Sequence, residues 1–299
     1  MYKYINLKKL IRPAICIVIL TVCCIFVYRT AVGVPISSTK IGKGIFLPVI
    51  MYHSILENPS RFGPYVVSPQ TVDNDFAYLK THGYETVLVA DLLEYINNDV
   101  PLPEKPVMVT FDDGFYNNFV YVLPLLEKYD YEAVISVVGD YSQQYSEPNA
   151  DLSAAYSYLT WEHITELAES GRVEIGNHTY GMHSHDTRDG ASRNPGETLK
   201  EYEQALTEDI GKLQSSLKEN AGVSSVIFTY PFGTVSREST DILKEIGFKA
   251  TFNCYEKPNR ITKDEDCLFG LNRYNRPYSV STEDFMNKLS IGNTPADSG

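Results

Sequence analysis

The stretch VMVTFDDGFYNN, residues 107–118, sets two adjacent carboxylates and a glycine directly after an apolar, β-branched run. Such a run is typical of a buried strand. Similar runs recur along the chain and alternate with segments of helical pattern. Near-continuous apolar strands that alternate with helices predict a parallel sheet covered on both faces. About seven strand–helix units, beginning near residue 47, favour a closed or nearly closed α/β barrel over a small open sheet.

Helix boundaries follow from capping residues. Ser68 followed by Pro69 predicts the start of one helix, and Thr160 predicts the start of another that ends at Gly171. Residues 139–161 are polar and too long for a simple connection, so we expect a binding loop there. The acidic helix 196–220 is interpreted as a solvated outer face.

Chemically active side chains stand where several predicted strands end. These are His53, the pair Asp112 and Asp113, His178 with His183 after it, and the segment Tyr230–Gly233. In parallel α/β folds the carboxyl ends of the strands face the site. Each motif alone has a structural explanation: a turn, a core histidine or a solvated loop. Their occurrence together at successive strand ends favours a functional site.

The pattern indicates a divalent-cation site. Adjacent carboxylates repel, and a cation bound to one of them relieves the repulsion. Two histidines and a carboxylate form a common ligand set, which predicts zinc, with cobalt or nickel as alternatives. His178 and His183 are five residues apart, about 140° off a common helix face, so they require an irregular turn, which Gly181 permits. His185 is an alternative ligand.

Three motifs resemble those of a known family. TFDDG, GNHTYGMH and TYPFG are similar to motifs of the polysaccharide deacetylases, the NodB-homology domains of carbohydrate esterase family 4, over residues 45–280. The resemblance implies a distorted (β/α)7 barrel. It implies Asp112 as the catalytic base, with Asp113, His178 and His183 as metal ligands. It also implies that the backbone N–H of Phe232 helps to bind the oxyanion.

The chain departs from the family pattern at three places. His178 and His183 are five residues apart, whereas many members space these histidines by four. A spacing of five is found in the branch that acts on poly-N-acetylglucosamine. Thr229 stands where many members carry the arginine that pairs with the base, and Arg273 is the candidate replacement. A Leu-x-His acid motif is not visible after residue 185, and the segment ending at His53 resembles its permuted version, which makes His53 the candidate general acid.

The resemblance predicts a metal-dependent enzyme that removes N-acetyl groups from a cell-surface or cell-wall polysaccharide, such as peptidoglycan or poly-N-acetylglucosamine. The alternatives are a catalytically weak glycan-binding module and an O-acetyl esterase on xylan-like polymers. Tyr230 and Trp161 join the substrate-contacting candidates. Trp161, like the tyrosines of loop 139–161, can stack on sugar rings or belong to the core.

The N-terminus predicts a membrane anchor. Residues 1–30 carry five cations and no acid around an uncharged run over residues 13–28. The run can span a bilayer with the outer domain extracytoplasmic, residues 31–45 as a linker and 46–299 as the catalytic domain. A signal peptide cleaved near residues 31–33 is the alternative.

Charge and cysteines add two further constraints. The formal charge is −12 for the chain and, without those five cations, −17 for residues 31–299, which disfavours a nucleic-acid partner. Cys254 and Cys267 are the cysteines outside the first 30 residues, and they are as compatible with a disulfide as with free thiols. The oligomeric state is not predicted.

Overall fold

The structure is a computed structural model that describes residues 44–290. The predicted anchor, residues 1–30, and nearly all of the predicted linker lie outside the described residues. Within residues 44–290 the structure has no helix with both the length and the apolar character needed to cross a bilayer.

Short strands build the scaffold. In chain order they are β1 (Ile45–Leu47), β2 (Val49–Tyr52), β3 (Ser54–Ile55), β4 (Val66–Val67), β5 (Glu85–Thr86), β6 (Pro106–Phe111), β7 (Ala133–Val137), β8 (Val173–Asn177), β9 (Ile227–Thr229), β10 (Ala250–Phe252), β11 (Asn259–Ile261), β12 (Phe269–Leu271) and β13 (Tyr274–Asn275).

Helices connect and cover the strands. They are α1 (Pro69–Thr81), α2 (Val89–Asn98), α3 (Leu123–Tyr129), α4 (Gly139–Tyr145), α5 (Trp161–Glu169), α6 (Leu199–Ala221), α7 (Ser239–Glu245) and α8 (Thr282–Lys288). A π-helical segment, Asn118–Val122, precedes α3, and 3₁₀ turns occupy Pro59–Arg61, Pro231–Gly233 and Glu265–Leu268.

The main sheet is parallel, as predicted. Its order is β12–β10–β9–β8–β7–β6–β2–β13, with β5 paired to the start of β6. The two end strands, β12 and β13, are consecutive in the chain, and only Asn272 and Arg273 separate them. Three residue steps reach at most about 11 Å, so the two edges of the sheet must curl toward each other. The predicted barrel-like α/β fold is therefore present, and Arg273 lies at its seam.

The side chains of β6 show how the sheet is buried on both faces. All six residues are buried. Val107, Val109 and Phe111 pack into one hydrophobic cluster, whereas Met108 packs into another. Alternate residues of a strand point to opposite faces. Burying each large apolar side chain contributes about 1.5–3 kcal/mol, so this strand is a rigid support for the two aspartates that follow it.

The capping predictions are confirmed. The Ser68 hydroxyl accepts a hydrogen bond from the N–H of Thr71 at 3.0 Å, and Pro69 is the first residue of α1. Thr160 caps α5 in a capping box with His163. A capping hydroxyl satisfies a backbone donor that the helix leaves unpaired, which makes it a reliable start signal.

Two regions differ from the sequence-based prediction. Loop 139–161 begins with the helix α4. The strand β1 pairs antiparallel with β11, a contact that links residues more than 200 positions apart. The segment Asn259–Ile261 has no apolar run that would mark it as a strand, and only the fold brings it to its partner β1.

Candidate metal centre and active site

Three ligand-type side chains converge at the carboxyl ends of β6 and β8. Asp113 follows β6, and His178 follows β8. Asp113 Oδ1 lies 3.4 Å from His178 Nε2 and 3.1 Å from His183 Nε2. One ligand atom from each residue lies within 4.8 Å of the others, so the three can bind a single cation. The structure thus brings together the predicted metal ligands.

Hydrogen bonding orients His178. Its Nδ1–H donates to the carbonyl oxygen of Thr229 at 2.8 Å, which leaves the Nε2 lone pair facing Asp113. A metal-binding histidine typically donates its other N–H in this way. Burial by itself would lower the pKa of His178, but the carboxylates of Asp113 and Asp112 outweigh burial and raise the pKa above its ordinary value.

The donor set fits a divalent cation. Burial would raise the pKa of Asp113, but the adjacent His178 and His183 rings hold the pKa far below the usual aspartate range. The carboxylate is therefore ionised, and the cluster brings negative charge and imidazole nitrogens together in one partly buried place. One oxygen and two nitrogens suit zinc, cobalt or nickel better than magnesium or calcium, which prefer oxygen ligands.

Arg273 holds Asp112 in a bidentate pair. Its Nη1 donates to Asp112 Oδ1 at 2.6 Å and its Nη2 to Asp112 Oδ2 at 2.7 Å. Arg273 is 0% exposed, and its Nε donates to the carbonyl oxygen of Asn253. Burial would raise the pKa of Asp112, but the charge of Arg273 outweighs burial and lowers the pKa. An arginine from the sheet seam thus stands where the missing arginine at Thr229 would act.

Thr229 has a different role at that position. Its hydroxyl bonds to the Ser136 hydroxyl at 2.7 Å inside the sheet, and its carbonyl oxygen accepts from His178. A small side chain at the end of β9 therefore leaves the space beside Asp112 to Arg273.

His53 approaches Asp112 from the end of β2. Its Nε2 lies 4.0 Å from Asp112 Oδ2. Its Nδ1 is buried and has no hydrogen-bond partner among the described residues, so Nε2 is the nitrogen available to the site. Burial lowers the pKa of His53 despite the attraction of Asp112 and Asp113, so a proton on this ring is easily given up.

Phe232 lies beside the metal ligands. Its backbone adopts φ 57° and ψ 7°, a left-handed conformation that is uncommon for a non-glycine residue. Its ring is 40% exposed and lies 4.6 Å from the His183 ring and 3.8 Å from the His185 ring, between centroids. His185 is not part of the ligand cluster and pairs with Asp189 instead.

Two of the predicted substrate contacts do not reach the site. The Tyr230 side chain is 1% exposed, and its hydroxyl bonds to Ser239 within a hydrophobic cluster. Trp161 is 7% exposed and packs in the core, where its Nε1–H donates to Gln143. Both side chains are buried within hydrophobic clusters, so neither ring is open to stack on a bound sugar.

Two tyrosines border the site: Tyr65, which the sequence did not indicate, and Tyr141, one of the loop tyrosines considered as sugar contacts. The Tyr65 ring lies 4.9 Å from the His53 ring and is 59% exposed. The Tyr141 hydroxyl lies 3.4 Å from His183 Nδ1. Tyr141 belongs to loop 139–161, and the high tyrosine content of that loop is the sequence feature that could have identified it. Cys254 and Cys267 are both free thiols, which decides the alternative left open by the sequence.

Comparisons with known proteins agree with this geometry. The family model described as polysaccharide deacetylase matches residues 99–251. A poly-beta-1,6-N-acetyl-D-glucosamine N-deacetylase of Escherichia coli is 26% identical over 224 residues, 68% of this chain and 33% of the relative. An enzyme of the same name from Staphylococcus aureus is 21% identical over 230 residues, 77% of this chain and 74% of the relative. The chain thus spans about a third of the length of the Escherichia coli relative.

A solved structure supports the fold. A de-N-acetylase from Aggregatibacter actinomycetemcomitans superimposes with a TM-score of 0.69 at 24% identity, covering 82% of this chain and 100% of that one. The matched family region contains Asp112, Asp113, His178 and His183, whereas His53 and Arg273 lie outside it. Because the family model covers half of the chain and its motif residues form one cluster, this chain belongs to the polysaccharide deacetylase family.

Proposed function

We propose that this chain is a metal-dependent deacetylase that removes N-acetyl groups from a polysaccharide containing N-acetylglucosamine. The observation that carries the proposal is the convergence of Asp113, His178 and His183 beside the Asp112–Arg273 pair. Poly-β-1,6-N-acetylglucosamine is the first polymer to test because the Escherichia coli and Staphylococcus aureus relatives are named for it. Peptidoglycan is the second.

The three ligands would hold the cation, with zinc the first metal to test and cobalt or nickel the alternatives. A divalent cation bound there supplies a positive charge that polarises the acetyl carbonyl and lowers the pKa of water. The chain itself contributes orientation: the Thr229 carbonyl holds the His178 ring, and the rigid strand β6 holds Asp113.

Asp112 would act as the base. Arg273 keeps its carboxylate ionised and fixes both oxygens in one plane, so Oδ2 can take a proton from the attacking water. The lowered pKa makes this a weak base, which suits a water already made more acidic by its surroundings.

His53 would act as the acid. An amine cannot leave as an anion at neutral pH, so the amide nitrogen must gain a proton as the carbon–nitrogen bond breaks. His53 Nε2 would supply that proton. It lies 4.0 Å from Asp112 Oδ2, too far for direct transfer, so the proton that Asp112 takes from the attacking water would reach His53 through one bridging water. The backbone N–H of Phe232 would stabilise the oxyanion.

The alternative of a catalytically weak glycan-binding module has less support than the deacetylase. The feature that favours it is the absence of an arginine at position 229, where the chain has Thr229. Arg273 makes the bidentate contact to Asp112 that such an arginine would make. Asp112 therefore has an arginine partner although position 229 is a threonine. No observation favours an O-acetyl esterase over an N-deacetylase.

We also propose an extracytoplasmic catalytic domain on a single-pass anchor. The support is the sequence of residues 1–30, with its cations ahead of an uncharged run. Protease protection of the domain in intact cells and its accessibility after cell-wall removal would test this location.

Acetate release by the purified full-length chain tests the function. We expect release from oligomers of β-1,6-N-acetylglucosamine, its loss after chelation, and its return with zinc or cobalt. His183→Ala is expected to lower both metal content and activity by at least 100-fold. His82→Ala is the matched control, because His82 is exposed and stacks on Tyr78, and it should keep both. Full activity in chelated protein would overturn the metal requirement, and release from no N-acetylated glycan would overturn the function.

A further inference from the structure

The turn between the two histidine ligands has an unusual backbone. Thr179 directly follows His178 and adopts φ 71°, in the left-handed region that a β-branched residue rarely enters. Such a conformation persists only where the surroundings enforce it. The turn must reverse the chain between His178 and His183, and the spacing of five leaves the backbone of residues 179–182 to do so.

A carboxylate from the outer helix α6 binds this turn. Asp209 Oδ1 accepts the N–H of Tyr180 at 2.7 Å, and Oδ2 accepts the N–H of Gly181 at 2.8 Å. Hydrogen bonds to an ionised acceptor are about twice as strong as neutral ones. Two successive amides on the two oxygens of one carboxylate fix both the position and the direction of the turn.

Other contacts hold the same two peptide groups, 179–180 and 180–181, from the opposite side. The carbonyl oxygens of Thr179 and Tyr180 accept the N–H groups of Gly139 and Asp140 at 3.0 and 2.8 Å. Lys212, one turn after Asp209 in α6, lies 3.6 Å above the Tyr180 ring. A side chain at Gly139 would meet that ring at 2.5 Å, so glycine is required there.

We propose that Asp209 is a positioning residue for the cation site: by binding the amides of Tyr180 and Gly181 it holds His183 at the distance from His178 and Asp113 that one cation requires. The inference rests on the cation site of the proposed function. It changes the interpretation of α6, whose acidic residues the sequence alone assigns to a solvated face. Its neighbour Glu208 is such a residue, exposed and bonded only to Gln204 among the described residues.

Cation affinity of the full-length chain tests the role. Metal-free wild type, Asp209→Ala, Asp209→Asn and the control Glu208→Gln are titrated with Co²⁺ and Zn²⁺ by calorimetry, and the cobalt absorption spectrum reports the ligand geometry. We expect alanine to weaken affinity by about 10- to 100-fold, the usual effect of losing a group that orients ligands. Asparagine should weaken it less, since its oxygen can still accept one amide, and Glu208→Gln should match wild type.

A purely structural anchor predicts a different outcome. In that case Asp209→Ala would lower the melting temperature of the metal-free protein, while the folded fraction would bind cobalt with wild-type affinity and an unchanged spectrum. That result would overturn the inference, as would failure of the wild type to bind either cation. If alanine does not fold, the asparagine variant decides, and affinity within twofold of wild type overturns the role.

The outcome is separable from that of the proposed function. If the wild type releases acetate and Asp209→Ala binds cations with unaltered affinity, this inference alone is contradicted. If the wild type binds cobalt, Asp209→Ala binds it more weakly and the wild type releases no acetate, the positioning role is supported and the deacetylase is contradicted.

Discussion

Two buried arginines that are three residues apart in the chain each pair with an aspartate, and the two carboxylates differ in how much hydrogen-bonding capacity they have left. Arg273 pairs with Asp112 at the mouth of the sheet, and Arg276 pairs with Asp75 of helix α1. Both pairs are almost inaccessible to solvent. Their chemistry is the same, so the difference must come from the other neighbours.

The Asp75 carboxylate is fully occupied. Its oxygens accept from Arg276 Nε and Nη2, from the Tyr52 hydroxyl and from the Thr282 hydroxyl. Four donors on two oxygens leave little capacity for a further partner. This pair joins α1 to the C-terminal segment and α8, and its role is structural.

The Asp112 carboxylate is only partly occupied. Among the described residues its hydrogen bonds come from Arg273 alone, and Oδ2 faces His53 at 4.0 Å without bonding to it. Its neighbour in the chain is Asp113, at the predicted cation site. A buried, ionised carboxylate with unused acceptor capacity indicates chemistry, whereas a saturated one indicates architecture.

The largest expected effect comes from changing Asp112, the carboxylate with unused acceptor capacity. Asp112→Asn keeps the size and most of the shape of the side chain but removes the proton acceptor. We expect kcat/KM for acetate release to fall at least 1,000-fold, about 4 kcal/mol of transition-state stabilisation. Cobalt content should persist, because Asp113 and the histidines remain. A variant that keeps a tenth of the wild-type activity would show that Asp112 is not the base.

The second expected effect comes from changing Asp75, whose carboxylate is fully hydrogen-bonded, and it is an effect on stability. Asp75→Asn leaves the buried Arg276 charge without its partner, and we expect the free energy of unfolding to fall by about 3 kcal/mol. Activity per folded molecule at low temperature should stay within threefold of wild type. Denaturant titration measures the first quantity and acetate release the second. A 100-fold loss of activity in the folded protein would erase the contrast between the two pairs.

A third carboxylate, Glu174, is partly buried and has no arginine bonded to it among the described residues, so it extends the comparison with a smaller expected effect. Glu174 on β8 accepts the N–H of Val89 at the start of α2 at 2.8 Å. Burial raises its pKa to about 7, and the nearby Asp91 adds to this effect, while the backbone N–H groups of Val89 and Ala90 only partly oppose it. In Asp112, by contrast, an arginine outweighs burial and lowers the pKa.

The raised pKa of Glu174 makes the folded state less stable as the pH rises. The folded state holds the Glu174 proton more tightly than the unfolded state, whose pKa lies near 4.5. This group's contribution to stability is therefore present at low pH and is lost as the pH rises toward about 7. Glu174→Gln should be more stable than wild type by about 1–2 kcal/mol at pH 8 and nearly equal to it at pH 5. Denaturant midpoints at the two pH values measure this, and an equal shift at both would contradict the raised pKa.

Sequence patterns predicted the main sheet well where segments were long or capped. The run over residues 106–111 is a strand with those bounds, and Ser68 and Thr160 cap the helices that they were expected to begin. The patterns failed for the strand β11, which contains only one apolar residue, and for the helix α4. Local sequence carries a signal in proportion to its length, and these elements are stabilised by distant partners.

For the site, the residue types and their order along the chain predicted which ligand-type side chains meet. They did not predict which neighbouring residues orient those side chains. Asp113, His178 and His183 follow from motifs at strand ends, and Arg273 was named as the candidate partner of Asp112. Tyr230 and Trp161 were expected at the substrate and are buried instead. An aromatic residue suits a core and a sugar platform equally, so its direction is not a property of the local sequence.

The sequence by itself determined the parallel α/β architecture, the cluster of ligand-type residues and the family. These depend on periodicity and on short motifs, which are local. The tertiary structure alone decided that Arg273 reaches Asp112 across the seam of the sheet, that Asp75 is saturated while Asp112 is not, and that Asp209 binds the turn between the histidines. Each of these is a contact between segments far apart in the chain, and its geometry exists only once the sheet has curled and the helices have packed against it.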